Sequence, residues 1–282
     1  MLSIIVPFHN EREGLVETVR EIHRVRERLG VPSEVILVDD GSTDGSADVL
    51  PPDDGSRVIR HDRNRGYGRA IQTGVDAAQG DWIAILDADG SYPPGFVKDL
   101  WEARNDADMV VGRRDGGAPL LRKPAKWFLR WLATILSEEK IPDLNSGMRI
   151  IRKDLFERYR SLLPDGFSLT TTLTLAFVCN RHAVRYVPID YQPRLGKSKI
   201  RPIKDTWKFL KLVIRLTLLF NPIKVLMPIS VFFAILATVV MIVSKRLTGE
   251  VMNVTVTALY MLSVQVGILA LLADLISAGK RR

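Results

Sequence analysis

Apolar residues fall in short blocks through the first two hundred positions and in two long blocks after them. Leu2-Ser3-Ile4-Ile5-Val6 reads as a strand stopped by Pro7, and Glu34-Val35-Ile36-Leu37-Val38 as a second. Arg57-Val58-Ile59, Ile83-Ala84-Ile85-Leu86 and Asp108-Met109-Val110-Val111-Gly112 read as three more. Between them, Leu15, Val19, Ile22 and Val25 repeat at helical spacing, with Asn10 as the expected cap of a helix running to about Leu29. Further helices are expected through Ile71 and Val75, and from Pro93-Pro94 to about Arg104. Strand and helix alternate, which predicts an α/β fold with a mainly parallel sheet covered by helices. The long blocks differ in kind. Val225 to Val243 and Val251 to Ala273 contain no charged residue. Each covers roughly 30 Å as a helix, the hydrocarbon thickness of a bilayer. Spans at about 223–244 and 251–275 are expected, joined by the short Lys245–Glu250 connection.

Polar motifs follow the strands, where ligands bind in open α/β sheets. Asp87 and Asp89, two apart in extended chain, are expected to project from one face. Like charges on one face repel unless a cation lies between them, and Mg²⁺ or Mn²⁺ carrying a diphosphate suits an oxygen-donor pair. A solvated acidic turn is the plain alternative. Asp39-Asp40-Gly41-Ser42-Thr43-Asp44 follows the second strand, where carboxylates can accept from ribose or base groups. Gly66-Tyr67-Gly68 opens a helix where a backbone can approach a ligand closely. The full G-x-G-x-x-G fingerprint and its acidic partner are absent, so a nicotinamide enzyme is not expected. Arg113-Arg114 bring forked donors suited to phosphate to the same sheet edge.

In order and spacing, Pro7-x-x-Asn10-Glu11, Asp39-Asp40-Gly41-Ser42, Asp87-Ala88-Asp89 and Pro93-Pro94 resemble the family 2 glycosyltransferases of the GT-A fold. Asp143-Leu144-Asn145-Ser146-Gly147-Met148-Arg149 looks like that family's acceptor-side segment. Pro188-Ile189-Asp190-Tyr191 with Arg194, Gly196, Ser198 and Lys199 resembles the tail of polyprenyl-phosphate glycosyltransferases such as dolichyl-phosphate mannose synthase. The resemblance covers about residues 1–200 and implies transfer of a sugar from a nucleotide sugar to a polyprenyl phosphate. It implies that Asp89, helped by Asp87 and with Ser91 beside them, holds Mg²⁺ or Mn²⁺ on the donor diphosphate. Pro7, His9, Glu11, Asp39, Asp40 and the Asp87-Ala88-Asp89 segment would line the nucleotide site. Arg114 would face the phosphates, Ser146 and Arg149 would meet the acceptor phosphate, and Arg194 and Lys199 would close over the site.

Four departures bear on mechanism. Ser91 stands where mannose synthases carry Gln, His9 replaces a frequent Tyr, and the Arg194–Lys199 segment is one residue tighter. Gly166-Phe167-Ser168-Leu169-Thr170-Thr171-Thr172-Leu173 replaces an acidic pair found in many relatives, so a general base is missing there. A phosphate monoester is already anionic at neutral pH and needs positioning more than deprotonation. A single inverting displacement follows, with Asp143 or Asp190 as the alternative base. Propensity favours a strand for the threonine run, whereas the resemblance implies a helix capped by Ser168.

Net charge is +8. Much of it gathers near the apolar blocks, so a bilayer rather than a nucleic acid is the expected partner. Arg122, Lys123, Lys126 and Arg130 beside Trp127 and Trp131 predict an interfacial helix at about 120–138. Lys204, Lys208, Lys211 and Arg215 predict a second at 201–221. Trp127-Phe128-Leu129-Arg130-Trp131 lacks the Gln of a Q-x-x-R-W motif and precedes the acceptor segment. Basic residues Lys280-Arg281-Arg282 and the Lys204–Lys224 cluster outnumber Lys245 and Arg246, which puts the catalytic domain and C-terminus in the cytoplasm of an inner-membrane protein. Met1-Leu2-Ser3 enters a strand directly, which argues against a cleaved signal peptide, and the single Cys179 suits a reducing compartment. Asn253, Thr255, Thr257 and Gln265 are expected to serve helix packing or subunit contact. Similar proteins imply a homo-oligomer, a tetramer among them. The Gly66-Tyr67-Gly68 segment looks closer to the bacterial glucosyl branch, which favours UDP over GDP as the donor nucleotide.

Overall fold

Seven strands form one sheet in the order β3-β2-β1-β4-β6-β5-β7. The computed structural model of the chain describes residues 1–50, 55–114, 141–166, 168–192, 218, 221–250 and 253–279. The strands are β1 (Leu2–Phe8), β2 (Ser33–Asp39), β3 (Ser56–Arg60), β4 (Trp82–Ile85), β5 (Met109–Arg114), β6 (Arg149–Arg152) and β7 (Val184–Ile189). β2 pairs in parallel with β1 and β3, β1 with β4, and β5 with β7. β6 is antiparallel to both β4 and β5. Its reversed direction brings the start of β6, and the segment leading into it, to the edge where the other strands end.

Side chains alternate across the sheet as strand geometry requires. Ile5, Ile36, Val38, Ile83 and Ile85 face one layer, containing α2 (Tyr67–Ala77), α4 (Lys153–Tyr159) and α5 (Leu169–Cys179). Ile4, Val6, Val35, Leu37 and Ala84 face the other, containing α1 (Arg12–Arg28) and α3 (Phe96–Glu102). Both faces are covered, which is why these strands read as near-continuous apolar runs.

The threonine run is helical. Within α5, residues Leu169 to Val178 are all buried. The hydroxyls of Thr172 and Thr174 donate to the carbonyls of Ser168 and Thr170 at 2.9 Å each. Back-bonding to the preceding turn satisfies the buried hydroxyls, so burial overrides strand propensity. Ser168 occupies the N-cap position but makes no side-chain capping bond.

Two helices follow, α6 (Ile223–Thr248) and α7 (Asn253–Gly279), each with a stretch long and apolar enough to cross a membrane. They pack through a seam that repeats every seven residues: Ser230, Ala237 and Ser244 on α6, and Val256, Ser263, Ala270 and Ser277 on α7, all buried. Small residues let the backbones approach closely. Ser230 and Ser263 each donate to the other's carbonyl at 2.8 Å, and Thr238 meets the Tyr260 hydroxyl at 2.9 Å. Asn253, Thr255, Thr257 and Gln265 are exposed on α7, so of their two expected roles, packing inside the hairpin falls to other residues. The expected interfacial helices at 120–138 and 201–221 lie outside the described residues, apart from Leu218 and Asn221.

Candidate active site

The loops after β1 and β2 are stitched together. Asn10 has φ 55°, its backbone N–H donates to Ser42 Oγ at 3.0 Å, and its Oδ1 accepts from Thr43 N at 2.8 Å. Glu11, not Asn10, is the N-cap of α1, and Asp44 Oδ2 accepts from Arg12 N at 3.4 Å. The expected capping role is thus corrected: left-handed backbone turns Asn10 toward the neighbouring loop. Pro7 pairs with Val38 inside the sheet, and the His9 ring lies 3.4 Å from the Asn10 amide.

Asp39 and Asp40 are adjacent but have different surroundings. Asp39 Oδ1 accepts from Ser42 N at 2.8 Å. Asp40 Oδ1 accepts from His61 Nδ1 and from Arg65 N, both at 2.8 Å, and Oδ2 accepts from Gly66 N at 2.9 Å. With 3% exposure, Asp40 faces its own chain rather than a nucleotide, contrary to its expected role. It anchors the turn that leads into α2, because buried carboxylates need donors.

Gly66 and Gly68 approach protein backbone closely. A Cβ at Gly66 would lie 2.5 Å from the Asp165 carbonyl, and one at Gly68 would lie 2.2 Å from the Pro164 carbonyl. Arg69 N donates to the same Asp165 oxygen at 3.0 Å. The glycines therefore seat the start of α2 against residues 164–166.

β4 ends at Ile85, two residues before the first of the paired carboxylates. Asp87 lies just past the strand and Asp89 in the bend that follows, where Gly90 has φ 70°, so the pair is not carried on one continuous strand as expected. Asp87 Oδ1 accepts from the Tyr67 hydroxyl at 2.7 Å, and its Oδ2 lies against Gly147. Asp89 Oδ1 accepts from Ser91 N at 3.0 Å and Ser91 Oγ at 2.5 Å. Ser91 is 1% exposed and its hydroxyl donates to Asp89, so it orients that carboxylate. Ala88 is buried between them. Hard oxygen donors in a pair fit Mg²⁺ or Mn²⁺, which keep positions for water and substrate phosphates. Among the described residues no cluster of three or more His, Cys, Asp or Glu forms a cage of its own.

The Asp143–Arg149 segment meets the same edge. Arg114 Nε and Nη2 donate to the two oxygens of Asp143 at 2.7 and 2.8 Å. Burial works against the Arg114 charge, but the Asp143 bonds outweigh it and raise the guanidinium above its ordinary value. Burial would raise Asp143, yet the Arg114 bonds hold it below the usual carboxylate range. A carboxylate so depressed is a poor proton acceptor, which disfavours Asp143 as a base, while Asp190 is exposed.

The sign of the pH effect follows from that depression. The unfolded chain binds the proton more tightly, so the pair stabilises the fold above the ordinary Asp value. That stabilisation fades as pH falls through about 4 toward the lower folded value. Asp143→Asn is expected to destabilise the protein by about 2–4 kcal/mol at neutral pH and to flatten this acid limb. Urea unfolding at a series of pH values measures both.

Ser146 and Arg149 are displaced from their expected roles. Ser146 is fully buried, its hydroxyl 3.4 Å from the Met148 carbonyl. Arg149 is also fully buried. It donates to the Thr170 carbonyl at 3.0 Å, to Thr174 Oγ1 at 3.1 Å and to the Ser146 carbonyl. Burial lowers its basicity. Arg149 thus ties the acceptor segment to α5, and an arginine starting an internal strand cannot also reach an acceptor. Arg194 and Lys199 lie outside the described residues.

Sequence reasoning did not single out Tyr92, or Tyr67 as a partner of Asp87. The Tyr92 hydroxyl accepts from Gly147 N at 2.8 Å, and its ring meets Tyr191 edge-on at 5.2 Å. Gln192 N donates to the Ser91 carbonyl at 3.0 Å, joining the end of β7 to the carboxylate bend. The legible signal was Gly147, a glycine where only a backbone without Cβ fits.

Residues 3–160 match the family model described as Glycosyl transferase family 2. An undecaprenyl-phosphate 4-deoxy-4-formamido-L-arabinose transferase of Enterobacter sp. (strain 638) is 31% identical over 206 residues, 70% of this chain and 62% of that one. The low-salt glycan biosynthesis hexosyltransferase Agl6 of Haloferax volcanii is 26% identical over 76% of this chain and 53% of its own length. The chain therefore spans between half and two thirds of these relatives. A similar solved structure is glucosyl-3-phosphoglycerate synthase of Mycobacterium tuberculosis with Mn²⁺, UDP and phosphoglyceric acid, at TM-score 0.63 and 20% identity over 77% of this chain and 78% of that chain. That likeness concerns the fold, a GT-A-like mixed sheet with helices on both faces. The matched model covers more than half of the residues, and this chain belongs to glycosyl transferase family 2.

Proposed function

We propose that the chain is a membrane-embedded inverting glycosyltransferase. It moves a sugar from a UDP- or GDP-linked donor to a polyprenyl phosphate at the cytoplasmic face of the inner membrane. The observation that carries this reading is the meeting of two groups at one sheet edge. The Asp87/Asp89 bend lies after β4, and antiparallel β6 brings residues 143–149 against it, with Gly147 touching Asp87. Donor-side and acceptor-side segments are thus adjacent, in a chain that continues into two helices of membrane-spanning length.

Asp89, oriented by Ser91, and Asp87 would hold the divalent cation; Pro7, His9, Glu11 and Asp39 would line the nucleotide site. When bound, Mg²⁺ or Mn²⁺ supplies positive charge that stabilises the departing diphosphate. Arg114 lies at the same edge, held in place by Asp143. Arg194 and Lys199 would complete the acceptor-phosphate contacts. The acceptor phosphate attacks the anomeric carbon from the side opposite the nucleotide, in one inverting displacement. Charge at the ends of the hairpin supports the cytoplasmic orientation: Lys245 and Arg246 stand alone at one end, against the larger basic clusters at the other. The relatives named for undecaprenyl-phosphate transfer support the acceptor, and the resemblance supports a homo-oligomer.

Membranes containing the protein, given labelled UDP- and GDP-sugars in turn, are expected to yield a mild-acid-labile, base-stable lipid glycoside. A base-labile lipid product would instead point to a glycerolipid acceptor, and label in protein-linked glycan to a glycan acceptor.

A further inference from the structure

We propose that Tyr67 and Gly147 act together as a vise that positions the Asp87 carboxylate for the divalent cation. This rests on the functional reading above and adds two positioning residues to it. The Tyr67 hydroxyl donates to Asp87 Oδ1 at 2.7 Å. On the other side, a Cβ at Gly147 would stand 2.1 Å from Asp87 Oδ2. One oxygen is therefore held by a donor and the other by a wall that only glycine can provide.

Both jaws are themselves fixed. Tyr67 opens α2, whose approach is pinned by Asp40 through Arg65 N and Gly66 N, while Asp165 accepts from Arg69 N. His61 in turn donates to Asp40 and contacts Thr73 Oγ1 at 3.0 Å, tying the clamp to the body of α2. Gly147 is fixed by its N–H bond to the Tyr92 hydroxyl.

An aspartate has two rotatable side-chain bonds, and metal affinity depends on holding the ligand within a fraction of an ångström. Partners that orient a ligand typically account for about 10–100-fold in affinity. The jaws also come from opposite sides, one from the helix after the Asp40 turn and one from the acceptor segment, so a shift in either reaches the cation site.

The test uses purified full-length Tyr67→Phe in detergent. Calorimetry reads Mn²⁺ affinity in the presence of UDP and of GDP, nucleotide affinity without metal, and the thermal midpoint. The expected result is Mn²⁺ binding weakened about tenfold or more. Metal-free nucleotide binding stays near wild type, and the midpoint falls only by what one lost hydrogen bond costs, because the ring still packs. Gly147→Ala, which pushes on Oδ2, is expected to weaken Mn²⁺ binding in the same way. Wild-type Mn²⁺ affinity in Tyr67→Phe, measured where the wild type binds nucleotide in a metal-dependent manner, would overturn the vise alone. Absence of metal-dependent nucleotide binding in the wild type would overturn the functional reading and this inference with it.

Discussion

Asp89→Ala is expected to reduce sugar transfer by about a thousandfold or more while the purified protein stays folded. Asp89 lies at the bend where its Oδ1 accepts from Ser91 N and Ser91 Oγ. Losing those two bonds loosens a turn, which costs about 1–2 kcal/mol. In the proposed mechanism, losing the carboxylate would remove the negative charge that holds the cation on the leaving diphosphate, a much larger effect on the barrier. Asp89→Asn separates the two contributions. It keeps the volume and one acceptor oxygen for Ser91, yet removes the charge, so its stability should approach wild type while transfer remains near the alanine level. Turnover with the best nucleotide sugar and circular dichroism melting of the same preparations decide it. Retained turnover in either variant counts against Asp89 as the principal metal ligand.

Arg149→Met is expected to act on stability first and on chemistry second. The guanidinium is wholly buried, and its described partners are the Thr170 carbonyl, Thr174 Oγ1, the Ser146 carbonyl and Met109 Sδ. Methionine fills similar volume but takes the Arg149 donor from the Ser146 carbonyl and one donor from the Thr170 carbonyl, which keeps the Thr174 hydroxyl, at about 1–3 kcal/mol for an oxygen left unpaired away from water. A loss on the order of 3 kcal/mol is expected by urea unfolding. Turnover should fall as well, because Ser146 and Gly147 lose the tie to α5 that holds them beside Asp87. Arginine in direct contact with the acceptor phosphate would give the opposite signature: a raised KM for the lipid with stability unchanged. The two outcomes are separable in one set of preparations.

Arg149 also shows where linear reading stops. Arginine is almost never fully buried, so its place beside Ser146 in an acceptor-like segment made an exposed phosphate contact the natural expectation. Only the antiparallel pairing of β6 with β4 and β5 turns it inward. β6 itself is four residues bounded by arginines, Arg149-Ile150-Ile151-Arg152, too short and too charged at its ends to announce a central strand. Asp40 is a similar case. Its position beside Asp39 suggested a nucleotide contact, while its donors, His61, Arg65 and Gly66, lie more than twenty residues away.

What the amino-acid order determined by itself is what depends on neighbours along the chain. The apolar runs of β1, β2 and β4 require a sheet covered on both faces, and the two charge-free blocks require helices of bilayer length. The acidic, glycine-rich punctuation after those strands requires loops at their carboxyl ends. What only the tertiary structure decided is which donors of the protein's own chain each carboxylate meets. Asp40 turns to the protein through His61, and Asp143 through Arg114. Asp87 is gripped between Tyr67 and Gly147. These choices depend on donors brought together from distant segments, and a buried charge takes whichever partner the fold places within hydrogen-bond reach.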